Sequence, residues 1–105
     1  MRIIAVYNHK GGCSKTVTAV NFAYNLSDAG YRVLVVDMDP QGNASSFFRR
    51  YDINKFSVRD FLMGEANISR CCRRTSYKWI DILPANYRLR EVTSGTLARG
   101  RDVLQ

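Results

Sequence analysis

Two short apolar runs, separated by a glycine-containing loop and an amphipathic segment, constrain the fold more than any other feature. Residues 3–7 form a continuous apolar, β-branched run, which is typical of a strand buried on both faces of a parallel sheet. Residues 31–37 repeat that pattern. Between the runs, apolar residues recur at helical spacing at Ala19, Phe22, Ala23 and Leu26. Gly30 is placed to end that helix. Because a helical crossover between two such strands gives a right-handed parallel βαβ unit, the sequence predicts an α/β fold.

Length and composition predict one domain, residues 1–105, and exclude a second folded module. The formal net charge of +7 favours polyanionic partners such as nucleic acid, nucleotide phosphates or an acidic protein. No apolar run reaches the roughly 20 residues needed to span a bilayer, so we expect a cytoplasmic protein without a membrane partner. Its three cysteines lack zinc-site spacing, and we expect free thiols, with Cys71 and Cys72 packed in the core.

The second half of the chain carries weaker patterns. Residues 49–55 predict only a loop or frayed helix. Ser57 and Asp60 have the spacing of a capping box, with Gly64 to stop the short helix that they begin. Residues 79–83 predict a third strand, and the leucines after it suggest a final helix. Ile68 is expected to share one helical face with the two adjacent cysteines.

The loop at residues 10–16, KGGCSKT, lies between the first strand and the first helix. Unpaired N–H groups at a helix N-terminus favour an anion, and glycines let the backbone curl around phosphate oxygens. Lys15 would then reach the β- and γ-phosphates, the Thr16 hydroxyl would bind Mg²⁺, and Lys10 adds a second ammonium. The strict phosphate-loop pattern fails here, because His9 and Ser14 stand where its two glycines belong.

KGGCSKT nevertheless resembles the deviant Walker A motif, KGGxGKT, of the ParA/MinD superfamily. Residues 18–46, TAVNFAYNLSDAGYRVLVVDMDPQGNASS, are similar to the first helix, second strand and DxDPQGN segment of ParA-type partition ATPases. VRDFLMGE and WIDILPAN resemble the segments that follow in that family, so the resemblance covers essentially the whole chain. It implies a P-loop NTPase-type parallel sheet with flanking helices.

The resemblance also implies roles for individual residues. Lys15 and Thr16 match the phosphate-binding and Mg²⁺-binding residues, and Lys10 matches the lysine that reaches the partner subunit's nucleotide in an ATP-sandwich dimer. Asp39 matches the acidic residue that orients the attacking water, and Asp37 lies beside the metal. The remaining cofactor-binding positions implied are Gly11, Gly12, Cys13, Ser14 and Val17. The cofactors are therefore expected to be ATP and Mg²⁺.

The chain departs from the family pattern at Ser14, which replaces a glycine, and at Val17, which replaces a hydroxyl residue. Together these changes are expected to weaken nucleotide affinity by roughly tenfold or more. The chain ends at Gln105, before the Walker B strand and the C-terminal half, so we expect an incomplete sheet. In related folds the missing strand lies between the first two strands. We therefore expect two unpaired strand edges, and low stability, rearrangement or strand exchange into an oligomer.

The expected function is the ATP- and Mg²⁺-binding part of a partition-type ATPase that dimerises on nucleotide, inactive as an enzyme on its own. The expected partners of the complete protein are nonspecific DNA at the nucleoid and a centromere-binding ParB-like protein. An alternative is a non-hydrolysing module that binds nucleic acid through Arg49, Arg50, Arg70, Arg73 and Arg74. A dinucleotide-binding unit is disfavoured, because the G-x-G-x-x-G spacing is absent.

Overall fold

A computed structural model describes residues 2–6 and 13–92, with side chains described from Thr18 onward. Strands and helices alternate in its first half, as predicted. The elements in chain order are β1 Arg2–Val6, α1 Cys13–Asp28, β2 Val33–Asp37, α2 Asn43–Phe47, α3 Val58–Leu62, α4 Ile68–Cys71, β3 Arg73–Arg74, β4 Ile80–Leu83 and a 3-10 helix Tyr87–Glu91.

The four strands form one sheet in the order β1-β2-β4-β3. β1, β2 and β4 are parallel, and the two-residue strand β3 runs antiparallel to β4. β1 and β2 pair directly from Arg2 opposite Val33 to Val6 opposite Asp37. The expected gap between these two strands is therefore wrong for the described residues. Direct pairing satisfies the backbone groups that a gap would leave without partners.

Helices cover both faces of the sheet. Successive residues of β2 point to opposite sides, so this strand has apolar side chains to bury on each face. Val33 and Val35 pack with α1, α2 and β4 in one buried cluster. Leu34 packs on the opposite face with α3, α4 and the 3-10 helix. Burial on both faces explains why the sequence of this strand is continuously apolar rather than alternating.

The predicted helix ends are confirmed at three places. Gly30 has a φ of 94°, and the Tyr31 N–H donates to the Leu26 carbonyl across it, which ends α1 in a left-handed cap. Ser57 and Asp60 form the capping box of α3, where the Asp60 carboxylate accepts the Ser57 N–H at 2.8 Å. Gly64, with a φ of 74°, ends the same helix.

Several predictions differ from the structure in detail. On α1, Phe22 is 54% exposed and Val20 takes the buried position. On α4, Ile68 is 40% exposed, whereas Cys71 is fully buried as expected and Cys72 is half-buried. Burial raises the pKa of Cys71 to about 11, which keeps it a neutral thiol. Trp79 precedes β4 rather than belonging to it.

Two further elements were not predicted. The short helix α2 precedes the segment that was interpreted as a loop or frayed helix, and β3 is built from two arginines. The final helix is confirmed only as a 3-10 helix, Tyr87–Glu91, and the rest of that prediction lies outside the described residues. In the part of the chain that the structure describes, no helix has the length and apolarity to cross a membrane.

Candidate functional site

The end of β1, which precedes the predicted loop, and the predicted acidic residues lie at the same edge of the sheet. β1 ends at Val6, which lies opposite Asp37 at the end of β2. α1 then begins at Cys13. In parallel α/β sheets, ligands bind in the crevice outside the carboxyl ends of the strands. The register therefore brings the start of the segment joining β1 to α1 next to the acidic end of β2.

The predicted phosphate-binding residues fall into two groups. His9, Lys10, Gly11 and Gly12 lie outside the described residues. The backbone of Cys13, Ser14, Lys15, Thr16 and Val17 forms the first turns of α1. The first four N–H groups of a helix have no partner within the helix, so this backbone presents donors at the loop end of α1.

Asp37 is almost completely buried, at 1% exposure, and both of its carboxylate oxygens accept hydrogen bonds. Oδ1 accepts the Asp39 N–H at 2.9 Å. Oδ2 accepts the Ser45 N–H at 2.9 Å and the Ser45 hydroxyl at 2.6 Å. Three of the roughly four acceptor positions of this carboxylate are thus used within the protein.

Asp37 also connects elements that are distant in sequence. Ser45 lies in the first turn of α2, and its hydroxyl oxygen accepts the Ala85 N–H at 2.8 Å. One carboxylate therefore joins the end of β2, the start of α2 and the segment after β4. Burial raises the pKa of Asp37 more than its hydrogen bonds lower it, and the nearby charge of Asp39 raises it further.

Asp39 is 3% exposed but less completely bonded. Its Oδ1 accepts the Gln41 N–H at 3.0 Å, and its Oδ2 accepts the Asn43 N–H at 3.4 Å. Both bonds are local, and the second is long for a hydrogen bond. Among the contacts of the described residues, Asp39 uses two acceptor positions and Asp37 uses three, so Asp39 has more capacity for an additional ligand.

Gly42 allows the turn between these aspartates and α2. It is the N-cap of α2 with a left-handed φ of 67°. A Cβ at this position would lie 2.5 Å from the Tyr51 ring and 3.0 Å from the Ala85 carbonyl oxygen. A side chain here would push Tyr51 and the segment after β4 away from the acidic edge.

Ser45 is the site residue that sequence reasoning missed. It is fully buried, and it links Asp37 to Ala85, which lies 40 positions after Ser45. No local pattern identifies it, because its role depends on β4 lying beside β2. The described residues contain no group of three or more His, Cys, Asp or Glu side chains that could hold a metal. A metal ion bound by Asp39 would therefore take its other ligands from water, phosphate or residues outside the described part of the chain.

The arginines of the alternative interpretation occupy varied positions. Arg50 donates from Nε to the Arg74 carbonyl at 2.7 Å, which fastens the loop after α2 to β3. Arg73 is half-buried, whereas Arg49, Arg70 and Arg74 are exposed. Arg50 thus has a structural role, and Arg49, Arg70 and Arg74 are exposed to solvent.

Comparisons with known proteins identify the family of this chain. The family model described as "AAA domain" matches residues 1–101. The chromosome partitioning protein ParA of Caulobacter vibrioides is 37% identical over the whole chain, and the sporulation initiation inhibitor protein Soj of Bacillus subtilis is 40% identical over 84% of it. The chain belongs to the ParA-type partition ATPases. It spans 42% and 35%, respectively, of the lengths of these two ParA-type relatives.

Solved structures show the same fold. A cobyrinic acid a,c-diamide synthase from Mycobacterium smegmatis, with bound ADP and magnesium, is 34% identical and superposes with a TM-score of 0.73 over 99% of this chain and 46% of its own. The cell division ATPase MinD of Pyrococcus furiosus is 30% identical, with a TM-score of 0.68 over 94% of this chain and 40% of its own. This ParA-type chain therefore has the α/β fold of P-loop nucleotide-binding proteins, as predicted.

Proposed function

We propose that this chain supplies the ATP- and Mg²⁺-binding part of a partition-type ATPase that acts in DNA segregation through nucleotide-dependent dimerisation. The observation that carries the proposal is the register of β1 and β2. It sets Val6, the last residue of β1 before the KGGCSKT segment, opposite Asp37, at the edge where ligands bind in α/β sheets.

The chemistry of the residues fits a magnesium nucleotide. α1 has 16 residues and begins at Cys13, so its aligned peptide dipoles favour a phosphate at that end. At the same edge, Asp39 accepts only two hydrogen bonds from the residues that the structure describes. ADP, an ATP analogue and magnesium are the ligands named for the similar M. smegmatis protein. Bound Mg²⁺ would neutralise phosphate charge during transfer.

Each predicted residue then has a distinct role. Lys15 and Thr16 contact the phosphates and the metal, Lys10 reaches a nucleotide across a dimer, and Asp39 orients the attacking water. Asp37 belongs to the metal-side network mainly as a positioning residue, because it accepts the Asp39 N–H and fixes the turn that carries Asp39. Gly11, Gly12, Cys13, Ser14 and Val17 line the phosphates.

The partners follow from the family role. A second copy would complete the nucleotide site through Lys10, and nonspecific DNA with a ParB-like protein would act on the complete ATPase at the nucleoid in the cytoplasm. The net charge of +7 supports a polyanionic partner. Catalysis by the 105-residue chain alone is not part of the proposal.

A titration with a fluorescent ATP analogue, with and without Mg²⁺, tests the proposal. We expect saturable, Mg²⁺-dependent binding that weakens by about tenfold or more in Lys15→Ala, since a charged phosphate contact is lost. Lys55→Ala is the matched control. It removes the same charge from an exposed position in the loop before α3. Equal affinities of the two variants, or binding that ignores Mg²⁺, would refute the assignment.

A further inference from the structure

Three adjoining cavities lie at the opposite end of the sheet from Asp37, where β2 and β4 begin. Their volumes are about 390, 250 and 380 Å³, and Tyr77 lines all three. We call this surface the hairpin groove, after the connection between β3 and β4. Its aromatic walls are Tyr24, Phe47, Phe48, Tyr77 and Trp79. The three cavities meet at Tyr77 and form one contiguous surface, which can contact several residues of a peptide rather than a single small molecule.

The aromatic rings of the groove contact one another. Tyr77 stacks on Phe47 at 6.5 Å between centroids and meets Phe48 and Tyr24 edge to face at 5.8 and 6.2 Å. Phe47 and Tyr24 are nevertheless 50% and 51% exposed. Single-stranded nucleic acids bind by stacking bases on free ring faces, and the face that Tyr77 turns toward Phe47 is occupied. The groove therefore offers apolar walls more than stacking platforms.

One end of the groove is basic. Arg32, Arg74 and Lys78 line the first cavity, together with a single carboxylate, Asp81, among the described residues. The Arg32 guanidinium lies 4.7 Å from the centroid of the Trp79 ring, and the Lys78 ammonium lies 5.3 Å from it. Within residues 13–92, no carboxylate forms an ion pair with any of these three cations.

The hairpin connection is held in a fixed shape. Trp79 adopts a left-handed φ of 69°, which is rare for a bulky residue. Its carbonyl accepts the Val33 N–H at 2.8 Å, and the Thr75 hydroxyl donates to the Ile80 carbonyl at 2.7 Å. Strained backbone of this kind persists where the surrounding structure fixes it, and such positions cluster at binding sites.

We propose that the hairpin groove binds an acidic peptide segment of a partner protein. Apolar side chains of the peptide would lie against the aromatic walls, and its carboxylates would pair with Arg32, Arg74 and Lys78. Charge complementarity selects this occupant, because the three cations outnumber the two carboxylates, Asp28 and Asp81, that line the groove among the described residues. Residues 93–105 of the same chain carry two arginines against one aspartate, and a second copy carries the same net charge of +7, so both are electrostatically disfavoured.

Fluorescence anisotropy with a labelled peptide of about fourteen leucine and glutamate residues tests the proposal on the full 105-residue chain. Trp79 is the only tryptophan of the sequence, so its emission reports binding at the groove directly. We expect the acidic peptide to bind and shift this emission, and the same peptide with lysine in place of glutamate to leave it unchanged.

Two pairs of variants localise the binding. Lys78→Glu should weaken the acidic peptide about tenfold, whereas Lys55→Glu, the same change outside the groove, should not. Phe47→Ser should weaken it, whereas Phe22→Ser, at a phenylalanine of similar exposure that does not line the groove, should not. Circular dichroism of all four variants is the control that they remain folded.

Three results would overturn the proposal. One is equal loss of peptide affinity in Lys78→Glu and Lys55→Glu. Another is tighter binding of labelled oligothymidine than of the acidic peptide, with the same sensitivity to Lys78→Glu, which would identify nucleic acid as the occupant. The third is a dimer in sedimentation that Phe47→Ser abolishes and Phe22→Ser does not, which would identify a second copy.

Discussion

The two ends of the sheet differ in how their polar groups are satisfied. At the carboxyl end, Asp37 and Asp39 are buried and accept backbone N–H groups from the chain that follows them. At the amino end, Arg32 and Lys78 are exposed and have aromatic contacts rather than carboxylate partners among the described residues. The carboxyl end is therefore fixed by buried carboxylates that accept backbone N–H groups, whereas the cations of the amino end pack against exposed aromatic rings.

The largest expected effect comes from Asp37→Ala. It leaves the Asp39 and Ser45 N–H groups without partners in a buried site, which costs about 3 kcal/mol of the free energy of unfolding. Asp28→Ala removes an exposed carboxylate and should stay within about 0.5 kcal/mol of the original chain. Urea unfolding measures both. Similar values for the two variants would show that the Asp37 network does not hold the carboxyl end together.

Two glycines with positive φ sharpen the comparison. Gly42→Ala places a methyl group against Tyr51 and Ala85 at the carboxyl end, whereas Gly30→Ala at the end of α1 meets no atom within 4 Å. In both variants the left-handed backbone lowers the free energy of unfolding by about 1 kcal/mol. Only Gly42→Ala also displaces neighbouring atoms, which lowers it by about 1–2 kcal/mol more. Thermal or urea denaturation of the pair checks the difference. Equal losses would mean that Tyr51 moves aside freely.

The smallest expected effect is a pH dependence that belongs to Asp37. Its pKa is raised above 3.8, so the folded state holds this proton more tightly than the unfolded state does. The protonated Asp37 stabilises the folded state at low pH. This stabilisation is lost as the pH rises from 3.8 through the higher pKa that Asp37 has in the folded state. Asp37→Asn, which cannot ionise, should lack that decline. Urea unfolding of both proteins between about pH 4 and about pH 7 measures the difference in slope, and parallel profiles would contradict it.

Much of the fold was predictable, because its signals are local. The apolar runs of β1, β2 and β4, the glycine at the end of α1, and the capping box before α3 each depend on neighbours in sequence. α2 was missed because its five residues, NASSF, have little helical periodicity. It is held instead by Asp37 and Asp39, whose carboxylates accept the N–H groups of its first turn.

The candidate site was predictable only in part. The chemistry of the loop and of the two aspartates is visible in the sequence, but the hydrogen-bonding role of Asp37 within the fold is not. Asp37 and Asp39 look equivalent in the local sequence Asp-Met-Asp of residues 37–39. Only the contacts of Ser45 with Asp37 and Ala85 show that the Asp37 carboxylate holds parts of the fold together. The direct pairing of β1 with β2 was also unpredictable, because a family pattern gives strand order for the whole fold and not for a chain of this length.

Amide chemical shifts of the isotope-labelled chain, recorded during a titration with MgATP, test the central claim most directly. We predict shifts confined to residues 10–16 and 39–43 at the carboxyl end of the sheet, and none in residues 75–79 of the hairpin connection. Shifts in residues 75–79 without any in residues 10–16, or no shifts at all at saturating MgATP, would contradict the assignment of a phosphate site to the connection between β1 and α1.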